Sequence, residues 1–196
     1  WNYPLATPIT TVSEALIAGN NVIIKPSEHT PLVIEFLKKI WDQEIDYKNA
    51  FQVIHGAGDV GELLVQSNKN DLICFTGSTT IGKKIAEKCA KKLKPTILEL
   101  GGKDPMIILK DSNQRKALEA ALFGGLMNAG QSCISVENIY VEEVIFEEFK
   151  NKINNKIKNI SSGETKNDLI SCIITPQNYA KINSHLSELN DSTEII

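Results

Sequence analysis

The sequence lacks a C-x-x-C pair, a dense cluster of cysteine and histidine, and any apolar run long enough to cross a membrane. Its four cysteines, at positions 74, 89, 133 and 172, lie far apart, and only three histidines accompany them. This spacing argues against a metal site and against a disulfide framework, so a reducing cytoplasm is the expected location. Without a membrane-length segment, no membrane partner is expected.

Charge of one sign is not concentrated either, because 21 Lys and Arg residues are interspersed with 24 Asp and Glu for a net charge of −3. Because positive charge is not concentrated in one region, the protein has no electrostatic attraction for nucleic acid, and nucleic acid is not an expected partner. The lysine-rich stretch FKNKINNKIKN (149–159) keeps apolar residues at helical spacing, which favours a solvated helix face over a contact patch.

The two ends of the chain have unusual compositions for the ends of a protein. The chain begins at Trp1 inside the compact segment WNYPL, and it stops at DSTEII (191–196), which has no capping or turn signal and resembles an interrupted strand. We therefore expect an internal fragment of a longer protein.

The first half of the chain alternates short apolar runs with helical patterns. Thr7 before Pro8 and Thr30 before Pro31 each place a capping residue ahead of a proline at the first helical position. The apolar runs indicate strands buried on both faces. They occur at 21–25, 51–55, 71–75, 96–100 and 106–110. This order predicts an α/β fold with a Rossmann-like parallel sheet, the first domain covering residues 1–101.

After GGKDP the pattern changes, which indicates the start of a second α/β domain at residues 102–196. A helix is predicted over 114–127, then an irregular turn at NAGQSC, a strand at NIYVE and an amphipathic helix from Val144 to about Ile160.

A G-x-G-x-x-G pattern at Gly56, Gly58 and Gly61 follows an apolar run and opens a helix, as in a dinucleotide-binding turn. Such a turn needs an acidic residue about twenty positions later to hold the ribose, and none stands there. The alternative is an ordinary strand-to-helix connection, in which the glycines serve only to let the backbone turn tightly.

A second glycine turn runs from Gly77 to Lys83 and nearly matches the loop that binds nucleoside triphosphates. Lys84 stands where a hydroxyl must coordinate magnesium, which argues against an NTPase. The Ser78 hydroxyl remains well placed to cap a helix and to face an anion.

A third candidate is the end of the first strand, where Lys25, Pro26, Ser27 and Glu28 occur together. Ligands of open α/β sheets bind at this edge, so a lysine and a carboxylate there suit a ribose, and Glu28 would repel a 2′-phosphate. The alternative is an exposed ion pair in a loop.

Two further residues have the chemistry of a reactive site. Cys133 lies in the glycine-containing turn NAGQSC, where an exposed thiol suits a nucleophile, although a structural cysteine is the alternative. Glu99 lies inside the apolar strand TILEL, and a carboxylate buried there is a candidate general base.

Together these segments resemble the aldehyde dehydrogenases, over essentially the whole chain. The resemblance is carried by WNYPL, VIIKPSEHTPL, FTGSTTIG, LELGGKDP and NAGQSC, in that order. Within the family, WNYPLATPITT and GQSCISVENIYV are similar to succinate-semialdehyde dehydrogenase-like members. The resemblance implies that 1–101 is the later part of an NAD(P)-binding domain and 102–196 the start of a catalytic domain.

The resemblance also implies a role for each site residue. Cys133 is the nucleophile, Asn2 and the Cys133 backbone N–H hold the oxyanion, and Glu99 activates water. Lys25 and Glu28 bind the adenosine ribose of NAD, with NADP possible. The pyrophosphate binds at Ser78 and at the start of the helix, within residues 77–82. The other cofactor residues are Trp1, Ser27, Gly58, Gly77, Ile81, Gly82 and Leu100, of which Ile81 and Gly58 line the adenine.

The implied activity is oxidation of a small-molecule aldehyde to a carboxylic acid, in a complete protein that forms a homodimer or homotetramer. The 196 residues alone are expected to be inactive. A coenzyme-A-acylating relative is one alternative, and Glu99 counts against it because such relatives usually lack the hydrolytic carboxylate. A noncatalytic member is the other, and the presence of Asn2, Glu99 and Cys133 together counts against that.

Overall fold

The computed structural model of the chain describes residues 1–163, 165 and 167–189, so the DSTEII end lies outside the described residues. The chain divides into two compact units, Trp1–Leu100 and Gly101–Ile196. This division falls one residue before the predicted boundary between residues 101 and 102. The two units are described separately below.

The first unit contains two strand–helix–strand repeats with parallel strands. Its elements are α1 Ala6–Ile17, β1 Val22–Ile24, α2 Pro31–Glu44, β2 Phe51–Val53, α3 Gly58–Gln66, β3 Ile73–Thr76, α4 Thr79–Ala90 and β4 Thr96–Glu99. β1 pairs with β2, placing Val22 opposite Phe51, and β3 pairs with β4, placing Thr76 opposite Glu99. The predicted α/β class and parallel pairing are confirmed. The described strands form separate two-stranded sheets where one continuous sheet was expected.

The predicted helix starts are correct in one case and wrong in the other. α2 begins at Pro31 with Thr30 as its N-cap, as expected. α1 begins at Ala6, so Pro8 is its third residue and Thr7 is not the cap. Proline is tolerated there because the N–H groups of the first turn have no partner within the helix. Gly19 follows the helix end with a positive φ of 85°, a conformation that glycine adopts without strain.

The core of the first unit lies where α1 and α2 cover β1 and β2. Val12, Ile34 and Phe51 are buried there. Trp41 packs edge-to-face on Phe51, with ring centroids 5.7 Å apart and an interplanar angle of 74°. Such aromatic pairs add about 0.5–1.5 kcal/mol to the stabilisation from buried area alone.

The second unit contains one further repeat of the same kind. Its elements are β5 Asp104–Ile108, α5 Gln114–Leu126, β6 Val136–Val141, α6 Glu143–Ile157 and α7 Pro176–Ser187. β5 and β6 are parallel, and Ile108, Leu118, Ala121 and Phe149 form the buried core. On α6, Lys152 and Lys156 are exposed while Phe149 is buried, which agrees with the predicted solvated face.

The expectation that the strands are buried on both faces is wrong. Burial alternates along each strand, so that Ile23, Ile97 and Ile107 are 54%, 47% and 71% exposed. Neighbouring residues of a strand point to opposite faces, and the described helices cover one face of each strand pair. None of the described helices is both long and apolar enough to cross a membrane.

Candidate active site

Lys25 follows β1 and links the strand edge to the glycine-rich turn after β2. Its Nζ donates hydrogen bonds to the carbonyl oxygens of Pro26 and Gly56, both at 2.9 Å, and lies 3.8 Å from Glu28 Oε2. The lysine stem passes close to Gly61, where an added Cβ would lie 3.6 Å from Lys25 Cε. The structure therefore brings together the strand end at residues 25–28 and the glycine-rich turn at 56–61, which the sequence analysis treated as separate candidate sites for a cofactor.

Trp1, Ser27 and Glu28 lie around the same edge. The backbone nitrogen of Trp1 lies within electrostatic range of the Glu28 and Lys25 side chains. The Ser27 hydroxyl accepts a hydrogen bond from His29 N at 3.3 Å, which shapes the turn into α2.

The N-termini of α3 and α4 are both candidate anion sites. Asp59 lies in the first turn of α3, where its carboxylate already occupies the positive end of the helix dipole. The first turn of α4 has no acidic residue, and Ser78 Oγ caps it by accepting a hydrogen bond from Ile81 N at 3.3 Å. An added anion is repelled at α3 and attracted at α4. This difference favours the α4 terminus for a pyrophosphate.

The glycines of these turns differ in what surrounds them. Gly56 has a φ of +150°, and an added Cβ would lie 2.2 Å from Val60 Cγ2, so the turn requires glycine. Gly58 faces open space, with nothing within 4 Å of an added Cβ. Gly82 is buried beneath Leu100, whose Cδ2 would lie 2.5 Å from an added Cβ, so Leu100 packs on the first turn of α4.

Gly77 and Ile81 flank the same helix start. Gly77 N donates to the Glu99 carbonyl at 3.0 Å, which ties the turn before α4 to the end of β4. The Ile81 side chain is 44% exposed and is therefore available to an apolar ligand.

Glu99 ends β4, and its side chain is exposed, which corrects the expectation that it is buried. The adjacent leucines, Leu98 and Leu100, lie on the opposite face because strand side chains alternate, so the apolar sequence around Glu99 does not enclose it. Cys74 of β3 lies on the same face as Glu99. Burial raises the pKa of the Cys74 thiol, a hydrogen bond with the Thr11 side chain lowers it, and the Glu99 charge raises it.

Asn2 lies ahead of α1 and is held by its neighbour. Its side-chain oxygen accepts a hydrogen bond from Tyr3 N at 3.0 Å. That bond fixes the orientation of the Asn2 side-chain amide.

Cys133 lies in the second unit, exposed, shortly after three consecutive residues of left-handed backbone. Asn128, Ala129 and Gly130 have φ values of 53°, 58° and 71°. Such a conformation costs roughly 1–2 kcal/mol for a non-glycine residue, so surrounding contacts must hold it. Local strain of this kind is common at functional sites.

Gln131 supplies part of that support. Its Nε2 donates to the carbonyl oxygens of Asn128 at 3.1 Å and Cys172 at 3.2 Å, and its Oε1 accepts from Ile174 N at 2.9 Å. On the other side of the cysteine, the buried Ser135 donates from Oγ to Gly124 O at 3.1 Å. The turn that carries Cys133 is therefore fixed at both ends.

Sequence reasoning missed two features of the site. One is Gln131, which stands inside the quoted NAGQSC motif without an assigned role. The other is a hydrogen bond between His55 and Glu35, 2.5 Å from Nε2 to Oε1, next to the Lys25 edge. His55 directly precedes Gly56, which was a usable signal, but the partner twenty residues away was not visible in the sequence.

The first hundred and ninety-four residues match the model of the aldehyde dehydrogenase family. The chain is 42% identical to D-glyceraldehyde dehydrogenase (NADP(+)) of Picrophilus torridus over 84% of this chain and 34% of that protein. It is 32% identical to succinate-semialdehyde dehydrogenase [NADP(+)] of Escherichia coli over 96% of this chain and 40% of that protein.

Among solved structures, betaine aldehyde dehydrogenase of Staphylococcus aureus in complex with NAD⁺ superimposes with a TM-score of 0.91 at 32% identity. The alignment covers 95% of this chain and 38% of that one. The chain thus belongs to the aldehyde dehydrogenase family. It spans about two-fifths or less of the length of these relatives.

Proposed function

We propose that the complete protein oxidises an aldehyde to a carboxylic acid, with NAD⁺ or NADP⁺, through a covalent intermediate on Cys133. The observation that carries this proposal is the exposed Cys133 thiol, which follows a left-handed turn at 128–130 that Gln131 supports by hydrogen bonds. Cys74 and Cys172 are exposed as well, so the turn at 128–130, and not exposure alone, distinguishes Cys133. Membership of the family supports the same assignment.

The first step is attack of the Cys133 thiolate on the aldehyde carbon, which forms a thiohemiacetal and places negative charge on the former carbonyl oxygen. The Cys133 backbone N–H and the Asn2 side-chain amide are the proposed donors to that oxygen. Fixing Asn2 through Tyr3 N reduces the reorganisation needed when the charge develops.

Loss of hydride from the thiohemiacetal leaves a thioester on Cys133, and water must then release the acid. Glu99 is the proposed base that takes a proton from this water. Its exposed position at the end of β4 lets water reach the carboxylate.

The residues of the first unit fit a dinucleotide. An α4 terminus without a first-turn acid, the open space at Gly58 and the Lys25–Glu28 edge are the three observations that support this fit. When bound, the nicotinamide supplies the hydride acceptor. Lys25 and Glu28 are proposed for the adenosine ribose, and Ser78 for the pyrophosphate. The remaining proposed contacts are Trp1, Ser27, Gly58, Gly77, Ile81, Gly82 and Leu100.

The decisive experiment is a spectrophotometric assay of the complete protein with a panel of aldehydes and either cofactor. Cys133→Ala should lower the rate more than about a thousandfold, because no other group replaces the nucleophile. Cys172→Ala is the matched control, since Cys172 is also exposed in the second unit. Reduction of the cofactor at the wild-type rate by Cys133→Ala would refute the mechanism.

Two further measurements define the second half of the reaction. Glu99→Gln should keep a burst of reduced cofactor while slowing steady turnover, because only thioester release loses its base. Detection of the free acid without added coenzyme A separates this reaction from an acylating one. An unchanged steady rate in Glu99→Gln would remove Glu99 from the base role.

Assembly and location are also proposals. We infer a homodimer or homotetramer for the complete protein, supported by its membership of the aldehyde dehydrogenase family. A sedimentation measurement on the complete protein tests the stoichiometry. The four free cysteines are consistent with a reducing cytoplasm, and cell fractionation tests that location.

A further inference from the structure

A cavity of about 460 Å³ lies beside the Lys25 edge, between the start of α2 and the turn after β2. Among the described residues that line it, three have ionisable side chains: Glu28, Glu35 and His55. The cavity also contacts Gly56, whose carbonyl is bound to Lys25. It therefore adjoins the side chains proposed for the adenosine ribose.

His55 and Glu35 are hydrogen-bonded to each other, and both line this cavity. The Nε2–Oε1 distance is 2.5 Å, and the two side chains are 46% and 50% exposed, so a ligand can reach the pair from solvent. Lys25 Nζ is already bound to two backbone carbonyls. Among the described residues that line the cavity, His55 is thus the basic side chain best placed to reach an additional anionic group. Its Nε2 is hydrogen-bonded to Glu35.

The anionic group at issue is the 2′-phosphate that distinguishes NADP from NAD. Glu28 disfavours it by charge, and Glu35 is a second carboxylate that lines the same cavity. A second carboxylate that also engages the nearby donor acts against the phosphate twice, by repulsion and by removing a hydrogen-bond donor.

We propose that Glu35 is a second specificity-determining residue, which favours NAD over NADP by holding the His55 imidazole away from a 2′-phosphate. This inference rests on the proposed function, because it requires the adenosine to bind at the Lys25 edge. Glu35 acts on the phosphate through space and through His55, whereas the ribose itself does not depend on it. Changes at Glu35 should therefore alter the ratio of the two affinities and leave the affinity for the unphosphorylated ligand in place.

The test is isothermal titration of the complete protein with 5′-ADP and with 2′,5′-ADP, which measures the adenosine half without catalysis. Wild type should bind 5′-ADP more tightly. Glu35→Gln should tighten 2′,5′-ADP about tenfold and change 5′-ADP less than about twofold, because one repulsive charge is lost and His55 is released. In Glu35→Gln/His55→Ala, most of that gain should disappear.

Glu44→Gln is the matched control, since it removes an exposed carboxylate from the same helix outside the cavity. It should leave both affinities unchanged. Glu35→Ala provides a second route to the same result, and circular dichroism checks that each variant is folded. The NADP to NAD ratio of kcat/KM should shift in the same direction as the ADP affinities.

Several outcomes would overturn the inference. Equal changes for both ligands in Glu35→Gln would show that Glu35 has no selective role, and a gain that survives His55→Ala would exclude the imidazole. Binding of neither ligand by the wild-type protein would contradict the proposed cofactor site itself, and the inference would fall with it. A normal wild-type site with an unselective Glu35 refutes only the inference.

Discussion

Gly102 lies against the backbone of Cys133 so closely that an added Cβ would be 2.8 Å from the Cys133 carbonyl oxygen. Both residues belong to the second unit, and the contact joins the start of β5 to the turn that carries the thiol. The carbonyl is backbone, so it cannot move aside as a flexible side chain could. The second glycine of LELGGKDP therefore has a steric reason that concerns the nucleophile directly.

Gly102→Ala should displace the Cys133 turn and lower kcat/KM by one to two orders of magnitude, since misplacing a reacting group by about 1 Å costs roughly a hundredfold. Gly101→Ala is the matched control, because an added Cβ there meets nothing within 4 Å. Steady-state kinetics and a thermal melt of both variants separate displacement from unfolding. Equal activities for the two alanine variants would contradict the steric explanation.

The side chain of Gln131 should matter for the order of the same turn. Gln131→Ala removes its bonds to Cys172 O and Ile174 N, leaving the strained residues before Cys133 with less support. We expect faster amide hydrogen exchange across 128–134 and a lower kcat. Gln52→Ala, which loses one exposed bond to Asn49 O, is the control and should leave that exchange unchanged. Protection of 128–134 as in wild type would show that other contacts suffice.

The strands and most helices could be predicted because their signals are local. Apolar runs mark β1 to β5, and the Thr30–Pro31 pair marks the start of α2, although the Thr7–Pro8 pair does not mark the start of α1. The same pair at Thr175–Pro176 begins α7, which was overlooked although Thr175 Oγ1 accepts from Asn178 N at 3.2 Å. Burial was harder to predict, because an apolar run does not reveal whether both faces of a strand are covered.

The candidate site depended more on family resemblance than on local pattern. The exposure of Cys133 could be predicted from its position in a turn. The prediction that Glu99 is buried was wrong, because its apolar neighbours face the opposite side of the strand. The His55–Glu35 pair depends on packing of α2 beside the turn after β2, which no spacing rule encodes. The Asp59 charge at the α3 terminus was readable from the sequence, and a carboxylate in the first turn of a helix opposes the binding of a further anion there.

Gly58 provides a test of where the adenine lies. Gly58→Ala fills open space at the first position of α3, so stability should stay the same or rise by up to about 1 kcal/mol. If the adenine passes close to this position, the added methyl should weaken NAD binding several-fold. Thermal melting and calorimetric titration of the complete protein measure the two effects separately. Unchanged affinity in a stable variant would place the adenine elsewhere.

Ile107 and Ile108 are adjacent on β5 but differ greatly in burial, with 71% and 1% exposure. Ile108→Ala should lower the free energy of unfolding by about 2–5 kcal/mol, because it leaves a cavity between Leu118 and Phe149. Ile107→Ala should cost less than about 1 kcal/mol in this chain. Urea denaturation of both variants gives the comparison. Similar costs would mean that the exposed face of β5 is covered in solution.

Cys74 should react with alkylating agents only slowly at neutral pH, although its side chain is exposed. Partial burial of the thiol is the largest cause and raises its pKa; the Thr11 hydrogen bond lowers the pKa and the weaker effect of the Glu99 charge raises it, so that the net pKa is raised. The thiolate is the reactive form, so the rate should increase as pH rises through a pKa above that of an ordinary cysteine. Mass spectrometry of iodoacetamide-treated protein, with Cys172 as the exposed reference, measures the profile.

A second experiment tests directly whether the charge of Glu99 on β4 affects the Cys74 thiol on β3. Glu99→Gln removes a negative charge from the face that carries Cys74, so the Cys74 profile should move to lower pH. Glu87→Gln, an exposed carboxylate on α4 paired with Lys91, is the control and should leave the profile in place. A Cys74 profile unaffected by Glu99→Gln would show that the carboxylate and the thiol are electrostatically independent, and would leave burial as the sole cause of its low reactivity.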